Sequence, residues 1–102
     1  MRIIIYGANE MACSIVTEFF ENHDVIVVDP DQKALENFSR FDIGTICADA
    51  MDIKMLKDVD IKNCDAFIAV SDVDESNIIS CLMARQVSNV HTICFVSKKD
   101  SM

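Results

Sequence analysis

The sequence predicts an α/β protein with a Rossmann-like, doubly wound parallel sheet of five strands in the order 3-2-1-4-5. Three observations predict this fold. Apolar, β-branched runs recur five times, helical patterns alternate with them, and the runs are apolar almost throughout, as in strands buried on both faces. The length of 102 residues allows a single domain with one core, so an enzyme with a separate substrate domain is not expected.

Local patterns place the elements along the chain. Strands are predicted over residues 2–6, 25–29, 44–48, 66–70 and 91–96, and helices over residues 10–22, 31–40, 52–58 and 75–87. The first helix carries apolar pairs every four residues, which gives one apolar stripe for the core. Asp31 follows the only proline and favours a helix start, and Ala34, Leu35 and Phe38 are expected to face inward.

The third helix is short, and the fourth has one apolar side. The members of that side are Ile78, Ile79, Leu82 and Met83. This spacing gives the helix one apolar stripe, and Asp74 or a neighbour is available as its cap.

The chain is acidic, with 17 Asp and Glu against 9 Lys and Arg and a formal net charge of −8. The basic residues are dispersed, and the pair Lys98 and Lys99 is expected to be solvated, so neither nucleic acid nor an anionic membrane is an expected partner. The longest apolar runs are far shorter than the roughly 18 residues of a transmembrane helix. The start of the chain lacks signal-peptide features, so a cytoplasmic location without direct membrane insertion is expected.

Five cysteines are scattered along the chain without a Cys-x-x-Cys pair, and most have apolar neighbours. They are Cys13, Cys47, Cys64, Cys81 and Cys94. We expect small core side chains that stay reduced, not metal ligands or redox groups.

The stretch IIIYGANEMA joins the first strand to the first helix, where a dinucleotide-binding glycine turn would lie. Such a turn needs small residues at three places: for the tight turn, for approach of the pyrophosphate, and for packing of helix on strand. Those places hold Gly7, Asn9 and Ala12. Alanine is a tolerated variant, and Asn adopts a left-handed conformation more readily than most residues, but the Asn9 side chain is expected to crowd a pyrophosphate.

An acid after the second strand completes this pattern. Asp29 ends the stretch VIVVD, about 20 residues after Gly7, where dinucleotide-binding folds place the acid that bonds the ribose hydroxyls. Ligands of doubly wound sheets bind beyond the carboxyl ends of the strands, where the strand order reverses. We therefore predict a nucleotide site there, with a free ribose 2′-hydroxyl favoured over the 2′-phosphate of NADP.

Longer stretches carry a resemblance that covers nearly the whole chain. They are MRIIIYGANEMA, HDVIVVDPDQKAL, CADAMDIKML, CDAFIAVSDVDESNIISCLMAR and HTICFV, of which AVSDVDESN is the most specific. In order and spacing they resemble the TrkA-N (KTN/RCK) family, which regulates potassium channels and transporters. The resemblance implies a ligand-sensing domain, not an enzyme, that binds AMP, ADP, NAD(H) or ATP and passes the change to a membrane-embedded potassium channel or transporter.

The resemblance also implies the binding positions. They are Gly7, Ala8, Asn9, Glu10 and Met11 in the turn, Asp29 and Pro30 after the second strand, Asp49 and Ala50 near the adenine, and Ser71 and Asp72 after the fourth strand. Two positions depart from the family's pattern, Asn9 at the second glycine and Ala48 before Asp49. Family members usually continue through another helix and a sixth strand, so residues 1–102 are expected to be the TrkA-N domain without its C-terminal part.

Five carboxylates are expected near the strand ends, and such a rim repels polyphosphates. They are Asp29, Asp31, Asp49, Asp72 and Asp74. Helix caps and solvated loops account for most of them, with Asp29 as the ribose contact, and a calcium or magnesium site is a minor alternative. Because of the rim and Asn9, AMP or ADP is expected to compete well against NADH and ATP.

Few residues of the sequence indicate a catalytic site. His23 and His91 are expected at the opposite end of the sheet, so no general base and no catalytic residue is predicted. Two alternatives stay open: a scaffold that has lost its nucleotide and acts only in oligomerisation, and a fragment of an NAD-dependent oxidoreductase. The resemblance implies a homodimer or larger homo-oligomer, to which Phe19, Phe20 and Met83 could contribute apolar surface.

Overall fold

A computed structural model describes residues 1–97, and the predicted tail at Lys98 and Lys99 lies outside them. The strands are β1 (Arg2–Tyr6), β2 (Asp24–Asp29), β3 (Gly44–Cys47), β4 (Ala66–Ala69) and β5 (His91–Cys94). The helices are α1 (Glu10–Phe19), α2 (Gln32–Glu36), α3 (Ile53–Asp58), a short 3-10 helix (Ile61–Asn63) and α4 (Asp74–Val87). Every strand pair is parallel and the order is β3-β2-β1-β4-β5, so the predicted fold is confirmed.

The sheet is covered on both faces because successive side chains of each strand point to opposite sides. Ile4, Tyr6 and Phe67 face α3, α4 and the 3-10 helix. Ile3 and Ile5 face α1 and α2, where Val16 and Leu35 complete a second core cluster. This double burial explains why the strands read as continuous apolar runs.

Several helices are shorter than predicted. α1 ends at Phe19 instead of residue 22, and α2 ends at Glu36 instead of residue 40. Phe38 is nevertheless buried, as predicted, but from the turns that follow α2. The starts are set by side-chain caps, since Asp31 accepts from the Lys33 amide at 3.0 Å and opens α2.

α4 packs on the sheet through small and polar residues and not through its aliphatic side. The helix buries Asn77, Ser80, Cys81 and Ala84 against the sheet. Ile78, Ile79 and Leu82 are instead 43%, 45% and 62% exposed. The apolar spacing identified the helix correctly, but small residues permit its close approach to the sheet and the aliphatic side faces out.

The cap of α4 also differs from the prediction. Val73 takes the N-cap position without a side-chain cap, and Asp74 is the first helical residue. Among residues 1–97, no helix combines the length and apolar character that crossing a membrane requires.

Candidate functional site

The turn after β1 passes directly against the end of β4, and this contact requires a glycine. Gly7 has a φ of +114°, and a Cβ built there would lie 2.7 Å from the amide nitrogen of Ser71 and 2.8 Å from its Cα. Its own amide donates to the Val28 carbonyl at 2.9 Å. Gly7 therefore allows β1, β2 and β4 to meet at the point where the strand order reverses.

Asn9 ties this turn to two other elements. Its Oδ1 accepts from the Ala12 amide at 3.0 Å and caps α1, while its Nδ2 donates to the Val70 carbonyl at 2.7 Å. A longer contact of 3.4 Å reaches Asp72 Oδ1. The backbone is extended, with φ −130° and ψ −168°, so the left-handed conformation considered for Asn9 is not adopted. The side chain lies across the crevice between β1 and β4.

Asp29 joins the turn to the end of β2. Its Oδ2 accepts from the Ala8 amide at 2.8 Å, and its Oδ1 accepts from the Asp31 amide at 2.8 Å. A carboxylate has further lone pairs, so these bonds leave capacity for another donor at the strand end. The sequence predicts a ligand contact for Asp29, which stays a prediction, but it does not reveal that Asp29 fixes the turn.

A buried amide that the sequence reasoning missed organises the loop after β4. Asn77 is 1% exposed, and its Oδ1 accepts from the Ser71 amide at 2.9 Å and from the Ser71 hydroxyl at 2.6 Å. Its Nδ2 donates to the carbonyls of Ser71 and Phe95, each at 2.9 Å. Asn77 thus holds α4, the β4 loop and the end of β5 together. The available signal was a polar residue near the start of a helix directly after the AVSD turn.

Tyr6 is a second residue that sequence reasoning treated only as part of a strand. Burial raises the pKa of its hydroxyl, while hydrogen bonding to Ser76 lowers it. The Asp49 and Asp29 carboxylates raise the pKa further, and Ser71 has a smaller lowering effect. The Tyr6 hydroxyl therefore stays neutral beside two carboxylates at the strand ends.

A cavity of about 600 Å³ opens between the β1 turn and the ends of β4 and β5. Its lining residues are Asn9, Glu10, Met11, Val70, Ser71, Asp72, Asp74, Phe95, Val96 and Ser97. Its size falls within the range of small-molecule sites. Among residues 1–97, three acids and no Lys or Arg line it, and this part of the lining disfavours highly charged anions.

The other predicted positions lie apart from this cavity. Asp29, Pro30, Asp49 and Ala50 do not line it. Ala50 is fully buried in the core, so its side chain is not available to a ligand. Asp49 is exposed and accepts from the Met51 amide at 2.9 Å, and Pro30 is exposed beside Cys47. The predicted site is therefore divided into a β1–β4 crevice and a more open β2–β3 edge.

The predicted acidic rim consists mainly of carboxylates that accept backbone amides. Asp31 caps α2, Asp74 accepts from the Ser97 amide at 2.9 Å, and Asp72 contacts Asn9. Within residues 1–97, no group of three or more His, Cys, Asp or Glu side chains is arranged to hold a metal ion. Most of these acids therefore make the loop and helix-cap contacts that the sequence predicts for them.

A smaller cavity of about 450 Å³ lies on the other side of the turn, between α1 and the turns after α2. Arg40 lines it, donating to the Asn37 carbonyl at 3.2 Å and to Cys13 Sγ at 3.2 Å. Its guanidinium also lies 4.5 Å from the centre of the Phe41 ring. These contacts hold the charge of Arg40 on the α1 side of the turn.

A cavity of about 630 Å³ lies at the opposite end of the strands, beside His23 and Asp42. There the chain's amino terminus lies 3.0 Å from His23 Nδ1. His91 lines a third cavity at the same end, as expected from the start of β5. Because neither histidine reaches the carboxyl ends of the strands, the glycine-turn crevice is the better candidate site despite its smaller volume.

Known proteins resemble this chain over almost its whole length. The TrkA-N domain family matches residues 3–102. A Trk system potassium uptake protein TrkA homolog of Archaeoglobus fulgidus is 34% identical over 100 residues, covering 98% of this chain and 23% of that protein. The homolog of the same name from Methanothermobacter thermautotrophicus is 29% identical over 102 residues, covering 98% and 47%. The chain therefore spans less than half the length of these relatives.

A solved structure supports the same fold. The crystal structure of the NAD(P)-binding domain of an exopolyphosphatase-related protein from Archaeoglobus fulgidus superposes with a TM-score of 0.85 at 23% sequence identity. The match covers 96% of this chain and 74% of that one. At this identity the likeness shows a shared Rossmann-like architecture.

Proposed function

This chain belongs to the TrkA-N domain family, and from that premise we propose that it is a regulatory module of a potassium-uptake system that binds an adenine nucleotide. The relatives named Trk system potassium uptake proteins support the potassium-transport setting. The observation that carries nucleotide binding is the Gly7 turn, held against β4 and fastened by Asp29 at the switch point of the sheet. This is the place where doubly wound folds bind nucleotides.

The start of α1 supplies the donors for a phosphate. The amide of Cys13 is the first to bond within the helix, to the Asn9 carbonyl at 3.0 Å, and Asn9 Oδ1 takes the Ala12 amide. The amides of Glu10 and Met11 precede these and lie in the first turn beside the 600 Å³ cavity. Such amides and the helix dipole favour one anionic group at this position.

The charges around that position favour ligands with few phosphates. Glu10, Asp72 and Asp74 line the cavity, and within the described residues 1–97 no Lys or Arg lines it. The Asn9 side chain fills the space where a second fingerprint glycine would admit a pyrophosphate. We therefore expect AMP and ADP to bind better than ATP and NADH. Asp29 favours a free ribose 2′-hydroxyl over the 2′-phosphate of NADP.

A regulatory role fits the crevice better than catalysis. Among residues 1–97 its lining includes no His, Lys or Cys, so Ser71 has no histidine or lysine beside it to activate the hydroxyl as a nucleophile. An oxidoreductase would need catalytic groups from a further domain. A scaffold that has lost nucleotide binding is the second candidate, and the occupied position of the Asn9 side chain favours it.

We further propose that copies of the chain associate with each other through α4. Its outer residues Ile78, Ile79 and Leu82 offer a continuous apolar side, whereas Phe20 and Met83 pack against the core clusters. Two antiparallel copies of α4 would bring Glu75 at one end opposite Arg85 at the other. This arrangement replaces the α1 surface expected from Phe19 and Phe20.

We place the protein on the cytoplasmic face of the membrane, where a homo-oligomer would pass the ligand signal to a membrane-embedded potassium channel or transporter.

Leu82→Glu should abolish self-association in sedimentation because it puts a charge at the centre of the apolar side of α4. Ser14→Glu adds the same charge at an exposed position of α1 and should leave the association unchanged. Equal loss in both variants would contradict the α4 surface.

Calorimetry with AMP, ADP, ATP, NAD, NADH and NADP tests nucleotide binding directly. We expect ADP to bind at least several-fold more tightly than ATP and NADP to bind least, with Asn9→Gly improving NAD and NADH. Asp29→Asn should reduce the preference for NAD over NADP, while Asp58→Asn on the outer end of α3 serves as the charge-matched control. No heat of binding for any nucleotide would favour the scaffold.

A further inference from the structure

Two cysteines that the sequence reasoning assigned to a reduced core lie on the same face of the sheet. Cys94 of β5 pairs in register with Ala69 of β4, and neighbours in register point to the same side of a sheet. Ala69 belongs to the core cluster under α4 that also contains Cys81. The strand cysteine and the helix cysteine therefore face each other across the packing of α4 on β5.

Their sulfur atoms reach the same short segment of backbone. Cys81 Sγ lies 3.8 Å from the Ile93 carbonyl oxygen, and Cys94 Sγ lies 4.0 Å from the Phe95 carbonyl oxygen. Cys81 is 7% exposed, whereas Cys94 is exposed on the outer strand of the described sheet. The Cys94 thiol is thus accessible to a dissolved reagent, whereas the Cys81 thiol is buried on the α4 side of the same contact.

The ionisation of the buried thiol agrees with this proximity. Burial, and after it the charge and hydrogen bonding of the Cys94 side chain, raises the pKa of the Cys81 thiol to about 12. Cys81 is therefore protonated at neutral pH and does not react with oxidants by itself. Oxidation of this pair therefore begins at the exposed Cys94.

We propose that Cys94 and Cys81 form an intramolecular disulfide when the chain meets a hydroperoxide. This pair is a modification site separate from the nucleotide crevice and does not depend on the proposed function. Of the three other cysteines expected in the core, Cys64 is buried and Cys13 is half-buried beside Arg40. The expectation is wrong for Cys47, which is exposed at the end of β3.

The chemistry balances with hydrogen peroxide as the oxidant. The Cys94 sulfur, as thiolate, attacks one peroxide oxygen, the O–O bond breaks, and protonation of the leaving hydroxide gives water and a sulfenic acid. The Cys81 sulfur then attacks the sulfenic sulfur, the S–O bond breaks, and the departing hydroxide takes the Cys81 proton as water. Two thiols lose two electrons and two protons, and one peroxide becomes two waters.

The disulfide would fasten α4 to β5 close to the crevice. Cys94 precedes Phe95, which lines the 600 Å³ cavity and whose carbonyl accepts from Asn77. The bond closes the loop from Cys81 to Cys94, which restricts the unfolded chain. We therefore expect the midpoint of thermal unfolding to rise by about 10 to 20 °C.

The test treats the 102-residue chain at low concentration with a small excess of hydrogen peroxide. Free thiols are then alkylated under denaturing, non-reducing conditions, and peptides are mapped by mass spectrometry. We expect a peptide that joins Cys81 to Cys94 and is separated by dithiothreitol, and a raised Tm that dithiothreitol reverses. Cys47→Ser, which removes a different exposed thiol, should leave the cross-link and the Tm rise intact.

Cys94→Ser is the decisive variant, because its exposed side chain allows the fold to form, as circular dichroism will verify. It should lose the cross-linked peptide and the Tm rise and leave Cys81 open to alkylation. The proposal is overturned if wild-type Cys94 goes to sulfinic acid, or to a disulfide with another chain, while Cys81 remains fully alkylatable. It is equally overturned if the Tm rise persists in Cys94→Ser.

Discussion

α1 and α4 pack on opposite faces of the same sheet, and they use their side chains in opposite ways. α1 buries Ala12 and Val16 under the strands. α4 buries the polar Asn77 and Ser80 and leaves Ile79 at 45% exposure. Helical periodicity therefore identifies the apolar side of a helix but does not show what that side packs against. In α1 it packs against the sheet, and in α4 we expect it to pack against a second copy of the chain.

The largest effect expected from this comparison is at the buried amide of α4. Asn77→Ala removes four hydrogen bonds and leaves the Ser71 amide and the Phe95 carbonyl without their partner. We expect the free energy of unfolding to fall by about 3 kcal/mol in urea titrations. The exposed Asn89→Ala is the control and should change it by less than about 0.5 kcal/mol. A loss below about 1 kcal/mol for Asn77→Ala would show that the buried network is not stabilising.

The next largest effect on stability distinguishes the packing of α1 from that of α4. Val16→Ala in α1 removes fully buried methyl groups and should cost about 2 kcal/mol of unfolding free energy. Ile79→Ala in α4 removes more atoms but from a half-exposed position, so the cost should stay below about 1 kcal/mol in the dissociated protein. Equal costs measured by urea unfolding would remove the distinction between the helices.

A smaller loss of unfolding free energy is expected at Asn9, which joins the start of α1 to the end of β4. Asn9→Ala removes the cap of α1 and the bond to the Val70 carbonyl, and should cost about 1 to 2 kcal/mol. Asn9→Ser keeps a capping oxygen but cannot span to β4, so its cost should be lower, about 1 kcal/mol. If both variants matched wild type in urea unfolding, the side chain would not join α1 to β4.

The smallest effect at neutral pH comes from the buried Cys81 thiol, since it appears only in alkaline solution. The folded-state pKa of Cys81 is raised from 9.0 to about 12, so the protonated thiol favours folding below pH 9 and this contribution is lost as pH rises towards 12. Stability should therefore fall between about pH 9 and pH 11. Cys81→Ala should flatten that decline, and an unchanged slope in the variant would contradict the burial of this thiol.

The fold could be predicted because the strands are buried on both faces and therefore leave a strong signal in the sequence. Five apolar runs and the single glycine turn after β1 were sufficient for the strand order. Helix ends were less accurate. α2 ended early at Glu36, because turns, not helix, carry Phe38 into the core.

The site could be predicted only in part because the same polar residue types bind ligands and satisfy backbone groups. Gly7 and Asn9 were correctly placed at the turn, but the sequence did not reveal that Asn9 reaches the β4 carbonyl at Val70. Asn77 was missed because helical periodicity does not reveal a side chain that bonds the loop before its helix and the end of a later strand. Cys94 was assigned to the core although the outer strand leaves it exposed.

The central claim is that an adenine nucleotide binds at the glycine-turn crevice and not elsewhere. Two-dimensional ¹H–¹⁵N NMR with added ADP measures this for each backbone amide. We predict saturable shifts at Gly7 to Met11, at Asp31 and at Ser71, while the amides of Ile79 and Leu82 on α4 stay unchanged. Absence of shifts at Gly7 to Met11 at millimolar ADP, or shifts confined to the opposite end of the strands near His23, would contradict the account.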